Sequence, residues 1–324
     1  MSAKVARSMY RRMLKIVTSI KRVGAEQLAL ERYAEFLPCT VEVRKDESLQ
    51  VLLRKAFIST SLSAESLASG FSFIKDATES LPDLELLSLW DAYCRNGEYE
   101  MLYGVALLSA ALQQAEKEEP THAGELGDIV SSIRDGVRLL VNEMKEVVAA
   151  TPTPPSSKGR HGLDARPSFL ETAVEALWRR GFDVSEGAAE DFTALSLLRK
   201  RRVSVFLLNV LLTVALHELG VPCTLVGTES HRPWIRVQKT GSRPFFMSFA
   251  HAGVYSVKEV LRLDGHPPTS TQWWRAARWD GSGRKHILSR MLKVQLMLLS
   301  SSLESPLRTR QLKTCRIQIL FLLS

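Results

Sequence analysis

The apolar segment from Val203 to Leu219 carries apolar side chains on nearly every side of a helical wheel. Gly220 and Pro222 follow it directly, and both residue types are common just past the C-terminus of a helix. The pattern therefore predicts a core helix that is buried on all of its faces. The segment stays below the roughly 18 consecutive apolar residues that a membrane span requires.

Three polar residues interrupt this helix at a spacing of four: Asn209, Thr213 and His217. That spacing gives one narrow polar line along an otherwise apolar surface. We interpret the line as a set of hydrogen bonds to neighbouring backbone, since buried polar groups are normally paired. The alternative is that it faces a pocket.

The hydrophobic pattern changes after the helix. Cys223 to Val226, Trp234 to Val237 and Phe245 to Phe249 are short runs rich in β-branched and aromatic residues, separated by Gly, Ser, Arg and Pro. Such runs predict the strands of a small antiparallel sheet.

Most of the remaining chain has apolar residues at helical spacing. The segments with this pattern are residues 1–25, 64–80, 84–94, 102–112, 129–148 and 286–299. We therefore expect an α+β fold that is mostly helical. A length of 324 residues suits about two domains of roughly 150 residues each.

The pattern divides the chain into five parts. They are a helical domain over 1–80, a helical block over 81–148 that packs on the C-terminal domain, a Pro/Ser-rich linker or loop over 149–168, an α+β core over 169–300 and an atypical basic and apolar tail over 301–324. The prolines and small polar residues of 149–168 are typical of an exposed connection.

Composition adds limits on the chemistry. The chain is 45% apolar and 24% charged, as in an ordinary folded protein, and its net charge of +8 favours acidic partners or an import route. The four cysteines are Cys39, Cys94, Cys223 and Cys315. They form no C-x-x-C pair and have no histidine at ligand spacing, so we predict neither a metal site nor a disulfide framework.

The order of motifs around the central helix resembles the SirB-type transglutaminase-like family, which also occurs inside an F-box-only protein. The phrases that carry the resemblance are EALWRRGF, AAEDF, LSLLRKRR, HELGVP and SHRPWIRV, and the likeness covers roughly residues 84 to 300. It implies a papain-like core in which a buried helix leads into an antiparallel sheet.

Transglutaminase chemistry requires a cysteine thiolate at a helix N-terminus, a nearby imidazole and a carboxylate that orients it. Here Ser204 lies near the cysteine position, His231 lies near the histidine position, and Met247 or Ser248 takes the place of the acid. We therefore predict a pseudoenzyme scaffold. The alternative is a hydrolase or acyl transferase that uses Ser204 or Cys223 with His231; a weaker alternative is a ubiquitin-ligase adaptor, by analogy with the F-box relative.

The N-terminal segment is basic and amphipathic, with no acidic residue before Glu26. Its basic residues are Lys4, Arg7, Arg11, Arg12, Lys15, Lys21 and Arg22. An acid-free, arginine-rich amphipathic start is typical of a mitochondrial presequence. The ordinary alternative is a helix with a solvated basic face.

The phrase Met9 to Lys15, MYRRMLK, also resembles the LYR-motif family, whose pattern is L-Y-R-x-x-L-R. Arg54 to Phe57 matches the downstream arginine–phenylalanine phrase of that family, and a helix over 64–80 would complete a three-helix bundle within 1–80. The resemblance implies a protein of the mitochondrial matrix (cytoplasmic otherwise) that binds the acidic acyl carrier protein. It implies no cofactor beyond the acyl-phosphopantetheine of the bound carrier.

The LYR resemblance assigns partner contacts to eight residues. They are Arg7, Met9, Tyr10, Arg11, Leu14, Lys15, Arg54 and Phe57.

Two further features suggest surfaces rather than catalysis. Arg199 to Arg202 is a basic run that we interpret as a solvated helix end. A phosphate or nucleic-acid contact is the weaker alternative, because no RNA-binding aromatic phrase accompanies the run. Trp273, Trp274 and Trp279 could form a cation–π patch, a partner surface or packing over the sheet.

Overall fold

The computed structural model describes residues 3–33, 48–59, 64–95, 100–117, 124–151, 167–185, 188–228, 232–238, 243–265, 281–301 and 306–323. Over these ranges the protein is mostly helical with small sheets, which confirms the predicted mostly helical α+β class. None of the helices in the described ranges is both long and apolar enough to cross a bilayer. The predicted linker falls largely outside these ranges, as do Cys39, His231 and the three tryptophans at 273, 274 and 279.

The elements follow one another along the chain with helices first and a mixed region afterwards. The first helices are α1 Ala3–Arg22, α2 Glu26–Tyr33, α3 Leu49–Ser59, α4 Ala64–Arg95, α5 Met101–Glu116 and α6 Glu125–Ala150. Next come α7 Pro167–Arg179, β1 Asp183–Val184, a short 3-10 helix Ala189–Phe192, α8 Ala194–Lys200, β2 Arg202–Val203 and α9 Val205–Glu218. The last elements are β3 Cys223–Val226, β4 Trp234–Val237, β5 Phe245–Ser248, β6 His251–Tyr255, α10 Val257–Leu263, α11 Gly281–Ser300 and α12 Pro306–Leu323.

The chain forms two compact units. The first comprises Met1–Arg95 and Gln113–Ile129, and the second comprises Asn96–Leu112 and Val130–Ser324. The boundary predicted at residue 80 falls inside α4, which continues through Pro82 to Arg95. The reason is that Phe73, Ala77 and Leu84 continue one buried stripe, so the helix keeps facing the same core on both sides of the proline.

In the first unit, α1 packs against α3 and α4. The apolar face of α1 lies in the core, with Met9, Met13, Val17 and Ile20 all buried. The approach of α1 to α4 is close at Gly70, where an added Cβ would lie 2.5 Å from the sulfur of Met9. A side chain at position 70 would therefore require the end of the Met9 side chain to shift.

The second unit is built around α9, whose residues from Val205 to Leu216 are all buried. The helix begins and ends within two residues of the predicted bounds. Ser204 is its N-cap: the Ser204 hydroxyl accepts a hydrogen bond from the backbone N–H of Leu207 at 3.3 Å. The helix packs against β3 and β4, so it leads directly into the sheet that it supports.

The main sheet is antiparallel and four-stranded, in the order β3-β4-β5-β6. Its first three strands coincide with the predicted runs, and Ile235 lies opposite Met247 where β4 pairs with β5. Three strands were not predicted: β6, and the two-residue strands β1 and β2, which pair in parallel. Runs of two residues are too short to produce a period-2 signal.

The C-terminal tail is helical. Within the basic and apolar tail predicted over 301–324, Pro306–Leu323 forms α12, which packs against α11. The side chains of Cys315, Gln318, Ile319 and Leu322 are buried at helical spacing. The many basic residues around this narrow stripe hide it in the sequence.

Candidate functional site

Helix α1 has two contrasting faces. Its apolar face fills the core of the first unit, and the side chains of Arg7, Arg11 and Lys15 are exposed at a spacing of four. We call these three residues the basic face of α1. Within the described part of the chain, none of the three takes part in an ion pair. The basic face therefore presents positive charge that no neighbouring carboxylate of the described ranges neutralises.

An aromatic contact joins α1 to α3 beside this face. The ring of Tyr10 lies 5.1 Å from the ring of Phe57, tilted by 59°. Leu14, one turn further along α1, is half-buried, and Arg54, one turn before Phe57 on α3, is exposed. The structure thus brings two of the predicted partner residues, Tyr10 and Phe57, into direct contact.

Met9 differs from the other predicted partner residues. Only 2% of its side chain is exposed, and it packs against Gly70 within the core. Met9 therefore packs α1 onto the core. The exposed surface of this region is formed by the basic face together with Tyr10 and Arg54.

At the N-terminus of α9, Ser204 is a structural residue. Its side chain is 1% exposed and caps the helix, and its backbone N–H donates to the carbonyl of Asp191 at 2.7 Å. A buried hydroxyl that is engaged as a cap is poorly placed to attack a substrate. The Ser204 position therefore gives α9 its start and offers no exposed nucleophile.

Cys223 lies on β3 and is also buried. Burial raises the pKa of the Cys223 thiol to about 12, and its sulfur lies 3.9 Å from the carbonyl of Thr213. Because the thiolate is the nucleophilic form, a thiol with so high a pKa is nearly inert at neutral pH. The histidine predicted to act with Ser204 or Cys223, His231, lies outside the described residues.

At Asn209 and Thr213 the polar line of α9 forms the predicted hydrogen bonds to backbone. The amide of Asn209 donates to the carbonyl of Pro233 at 2.6 Å and to the hydroxyl of Ser248 at 3.0 Å, and its oxygen accepts from the N–H of Phe249 at 2.8 Å. The Thr213 hydroxyl donates to the carbonyl of Asn209 at 2.6 Å. Asn209 thus ties α9 to the segments next to β4 and β5.

The positions around this helix hold polar residues in structural roles. Ser248, one of the two residues predicted at the acid position, accepts hydrogen bonds from the amide of Asn209 at 3.0 Å and from the N–H of Ala250 at 3.4 Å. Burial lowers the pKa of His217, so this histidine favours the neutral form. Among the described residues, no group of three metal-ligating side chains lies close enough together to hold a metal ion. The surroundings of α9 are therefore those of a packed core.

Sequence reasoning missed a second basic surface. The run Arg199 to Arg202 is joined in space by Arg179 and Arg180 at the end of α7, because β1 and β2 pair in parallel. The neighbouring Trp178 is 37% exposed. The sequence signal for it was the pair Arg179-Arg180 directly before a Gly-Phe turn, but only strand pairing shows that the two runs meet.

Comparison of the chain with protein-family models, with curated proteins and with solved structures finds no match in any of the three.

Proposed function

We propose that this protein is an interaction protein of the mitochondrial matrix that docks the acyl carrier protein on the basic face of α1. The observation that carries the proposal is that Arg7, Arg11 and Lys15 are exposed and form no ion pair within the described part of the chain, while the opposite side of the same helix is buried. An acidic helix of the carrier would supply the missing carboxylates, and such charge-assisted contacts are strong.

The aromatic contact beside the basic face suits the rest of the carrier. Its phosphopantetheine bears a phosphate followed by an apolar acyl chain. The acyl chain requires an apolar surface, and the phosphate requires a cationic group beside it. Tyr10 and Phe57 supply apolar surface between α1 and α3, and the exposed Arg54 lies one turn from Phe57. The Tyr10 hydroxyl adds a polar group at the edge.

The second unit, in this proposal, is a transglutaminase-like scaffold that has lost cysteine chemistry. The Ser204 hydroxyl is used as a helix cap, and the Cys223 thiol stays protonated at neutral pH. Neither residue favours the hydrolase or acyl transferase alternative. We do not extend the proposal to a ubiquitin-ligase adaptor, which rests on fold analogy alone.

The test is co-purification of the tagged full-length protein with acylated carrier protein from isolated mitochondria at moderate salt. We expect wild type to retain the carrier and Lys15→Glu and Arg11→Glu to lose it, because each change reverses one charge on the basic face. Lys258→Glu is the matched control, since Lys258 is an exposed helical lysine of the second unit. It should bind as wild type does.

Two outcomes would overturn the proposal. One is that none of the proteins binds the carrier. The other is that Lys15→Glu, Arg11→Glu and Lys258→Glu all bind it as well as wild type does, which would exclude the basic face as the docking surface.

A further inference from the structure

The parallel pairing of β1 with β2 brings two helix ends together in the second unit. Asp183 lies opposite Arg202 and Val184 lies opposite Val203, and the N–H of Asp183 donates to the carbonyl of Arg201 at 3.0 Å. Because paired strands lie about 4.8 Å apart, the residues that precede them are also neighbours. The end of α7 and the end of α8 therefore meet at one place.

Arg201 holds this junction together and is fully engaged in doing so. It adopts a left-handed backbone conformation with φ of 53°. Its guanidinium donates to both carboxylate oxygens of Glu143 at 2.9 Å and to the carbonyl of Arg180 at 3.0 Å, and it lies 5.3 Å from the centre of the Phe182 ring. Arg201 therefore has a structural role, and we exclude it from the surface described next.

Five other basic side chains surround the junction and are exposed to solvent. We call them the basic cluster: Arg179, Arg180, Arg199, Lys200 and Arg202. A favourable interaction with the helix dipole explains the positions of Arg179, Arg199 and Lys200, which lie in the last turns of α7 and α8. It does not explain the positions of Arg180 and Arg202, which lie beyond the ends of these helices.

The carboxylates near the basic cluster form only weak ion pairs with it. Three members have an acidic neighbour: Arg179 lies 3.5 Å from Glu175, Lys200 lies 3.7 Å from Glu190, and Arg202 lies 3.5 Å from Asp183. These pairs are exposed, and exposed ion pairs contribute little stability, so a polyanion can replace them.

The other two members have no such neighbour. Arg180 and Arg199 form no ion pair within the part of the chain that the structure describes. A phosphate would bind most favourably at these two positions, because it would displace no carboxylate there.

Trp178 directly precedes Arg179 and Arg180 in the sequence, at the same end of α7. Its indole N–H donates to the carbonyl of Phe249 at 3.2 Å, and 37% of the residue remains exposed. The hydrogen bond orients the ring, so its exposed surface is offered in a defined position. A flat ring directly followed by Arg179 and Arg180 combines a stacking surface with cations.

We propose that the basic cluster and Trp178 form a binding surface for single-stranded nucleic acid. The phosphates of the strand would contact Arg180, Arg199 and the loosely paired cations, and one base would stack on the exposed indole. Surfaces of this kind combine a positive patch with an aromatic platform, and they tolerate many sequences because every base has a flat face. A polyanion without bases would use the charges alone.

The experiment measures binding of the full-length protein to a fluorescent single-stranded oligonucleotide by anisotropy, from about 50 to about 200 mM salt. Arg180→Gln combined with Arg199→Gln should weaken binding about tenfold and reduce the slope of log affinity against log salt by about 1.4, or about 0.7 for each phosphate that is no longer neutralised. Trp178→Ala should weaken binding about five- to tenfold, and Trp178→Phe should keep most of it.

The control for charge is Arg243→Gln combined with Lys258→Gln. Both residues are exposed, and they lie before β5 and after β6, at the end of the sheet opposite Phe249. This variant loses the same charge and should bind the oligonucleotide as wild type does.

Heparin and vesicles of anionic lipid serve as competitors without stacked bases. We expect Trp178→Ala to weaken oligonucleotide binding and to leave heparin binding unchanged. The proposal is overturned by equal losses in the two double variants, by an oligonucleotide affinity that does not depend on Trp178, by tighter binding to vesicles than to the oligonucleotide, or by no binding at about 50 mM salt.

Discussion

The carboxylate of Glu85, in α4, accepts a hydrogen bond at 3.1 Å from the backbone N–H of Leu126, in the first turn of α6. The side chain is buried, and it faces the start of a helix whose first N–H groups have no partner within the helix. Gly124 turns the chain there with φ of 93°, a conformation that residues with a side chain rarely adopt. Glu85 is thus a helix cap supplied from a distant part of the sequence.

We predict that Glu85→Ala lowers the free energy of unfolding by about 1 kcal/mol or somewhat more, because the N–H groups of α6 lose their acceptor. Glu85→Gln retains a carbonyl oxygen at the same place and should lose clearly less at neutral pH. Urea unfolding of the three proteins measures the difference. Equal losses for the alanine and glutamine variants would show that capping is not the role of this residue.

The pH dependence of the same residue has a defined sign. Burial raises the pKa of Glu85 above its ordinary 4.5, and hydrogen bonds from the N–H groups of Gly124, Leu126 and Gly127 offset part of that rise. The folded protein therefore binds this proton more tightly than the unfolded chain does. The resulting stability is present below about pH 4.5 and is lost as pH rises through the folded pKa. Glu85→Gln should remove this contribution, so the difference in stability between the two proteins should change over that interval and become constant above it.

A second prediction concerns the amide that ties α9 to the sheet. Asn209→Ala leaves the N–H of Phe249 and the carbonyl of Pro233 without their partner in a buried site, and we expect a loss of roughly 2–3 kcal/mol of unfolding free energy. Thr213→Val is the matched control on the same polar line. The Thr213 hydroxyl donates only to a carbonyl of its own helix, so its loss should cost less than about 1 kcal/mol. Urea unfolding of both variants measures the two losses, and equal losses would contradict the role given to Asn209.

A third prediction concerns thiol reactivity. Cys223 is buried and its thiol has a pKa of about 12, whereas Cys94 is half-buried near the end of α4. Iodoacetamide at alkaline pH should therefore label Cys94 well before Cys223 in the native protein, and it should label both at similar rates in urea. Peptide mass spectrometry gives the two rates. A Cys223 that reacts faster than a free thiol would revive the enzymatic alternative.

A fourth prediction concerns the mature N-terminus. Cleavage of a presequence after Arg22 would remove Met9, Met13, Val17 and Ile20 from the core of the first unit. We therefore expect N-terminal sequencing of the protein purified from its native cells to show that α1 is retained. Met13→Asp should unfold the first unit, because an unpaired buried charge costs several kcal/mol, while Arg12→Asp on the exposed side of α1 should not. A mature start beyond Arg22 would contradict both this prediction and the docking proposal.

Several elements could be predicted because their signals are local. Helix α9 follows from a segment that is apolar all round and ends at Gly220, and β3, β4 and β5 follow from short β-rich runs between turn residues. The strand β6 was missed because His251 and Gly253 weaken its alternation of apolar and polar residues. Backbone pairing with β5 stabilises the strand in the folded protein. The extent of α4 was missed because Pro82 suggests an end that a continuous buried stripe overrides.

In the candidate sites, too, the sequence determined some features and the tertiary structure decided others. That α1 has one apolar and one basic side was determined by the sequence alone, because helical periodicity depends only on neighbours along the chain. Which of its residues remain available was decided by packing: Met9 went into the core against Gly70, while Tyr10 met Phe57 at the surface. The contact of Arg180 with Arg201 and the capping of α6 by Glu85 were likewise decided by tertiary structure, since each joins residues that only strand pairing or helix packing brings within a few ångströms.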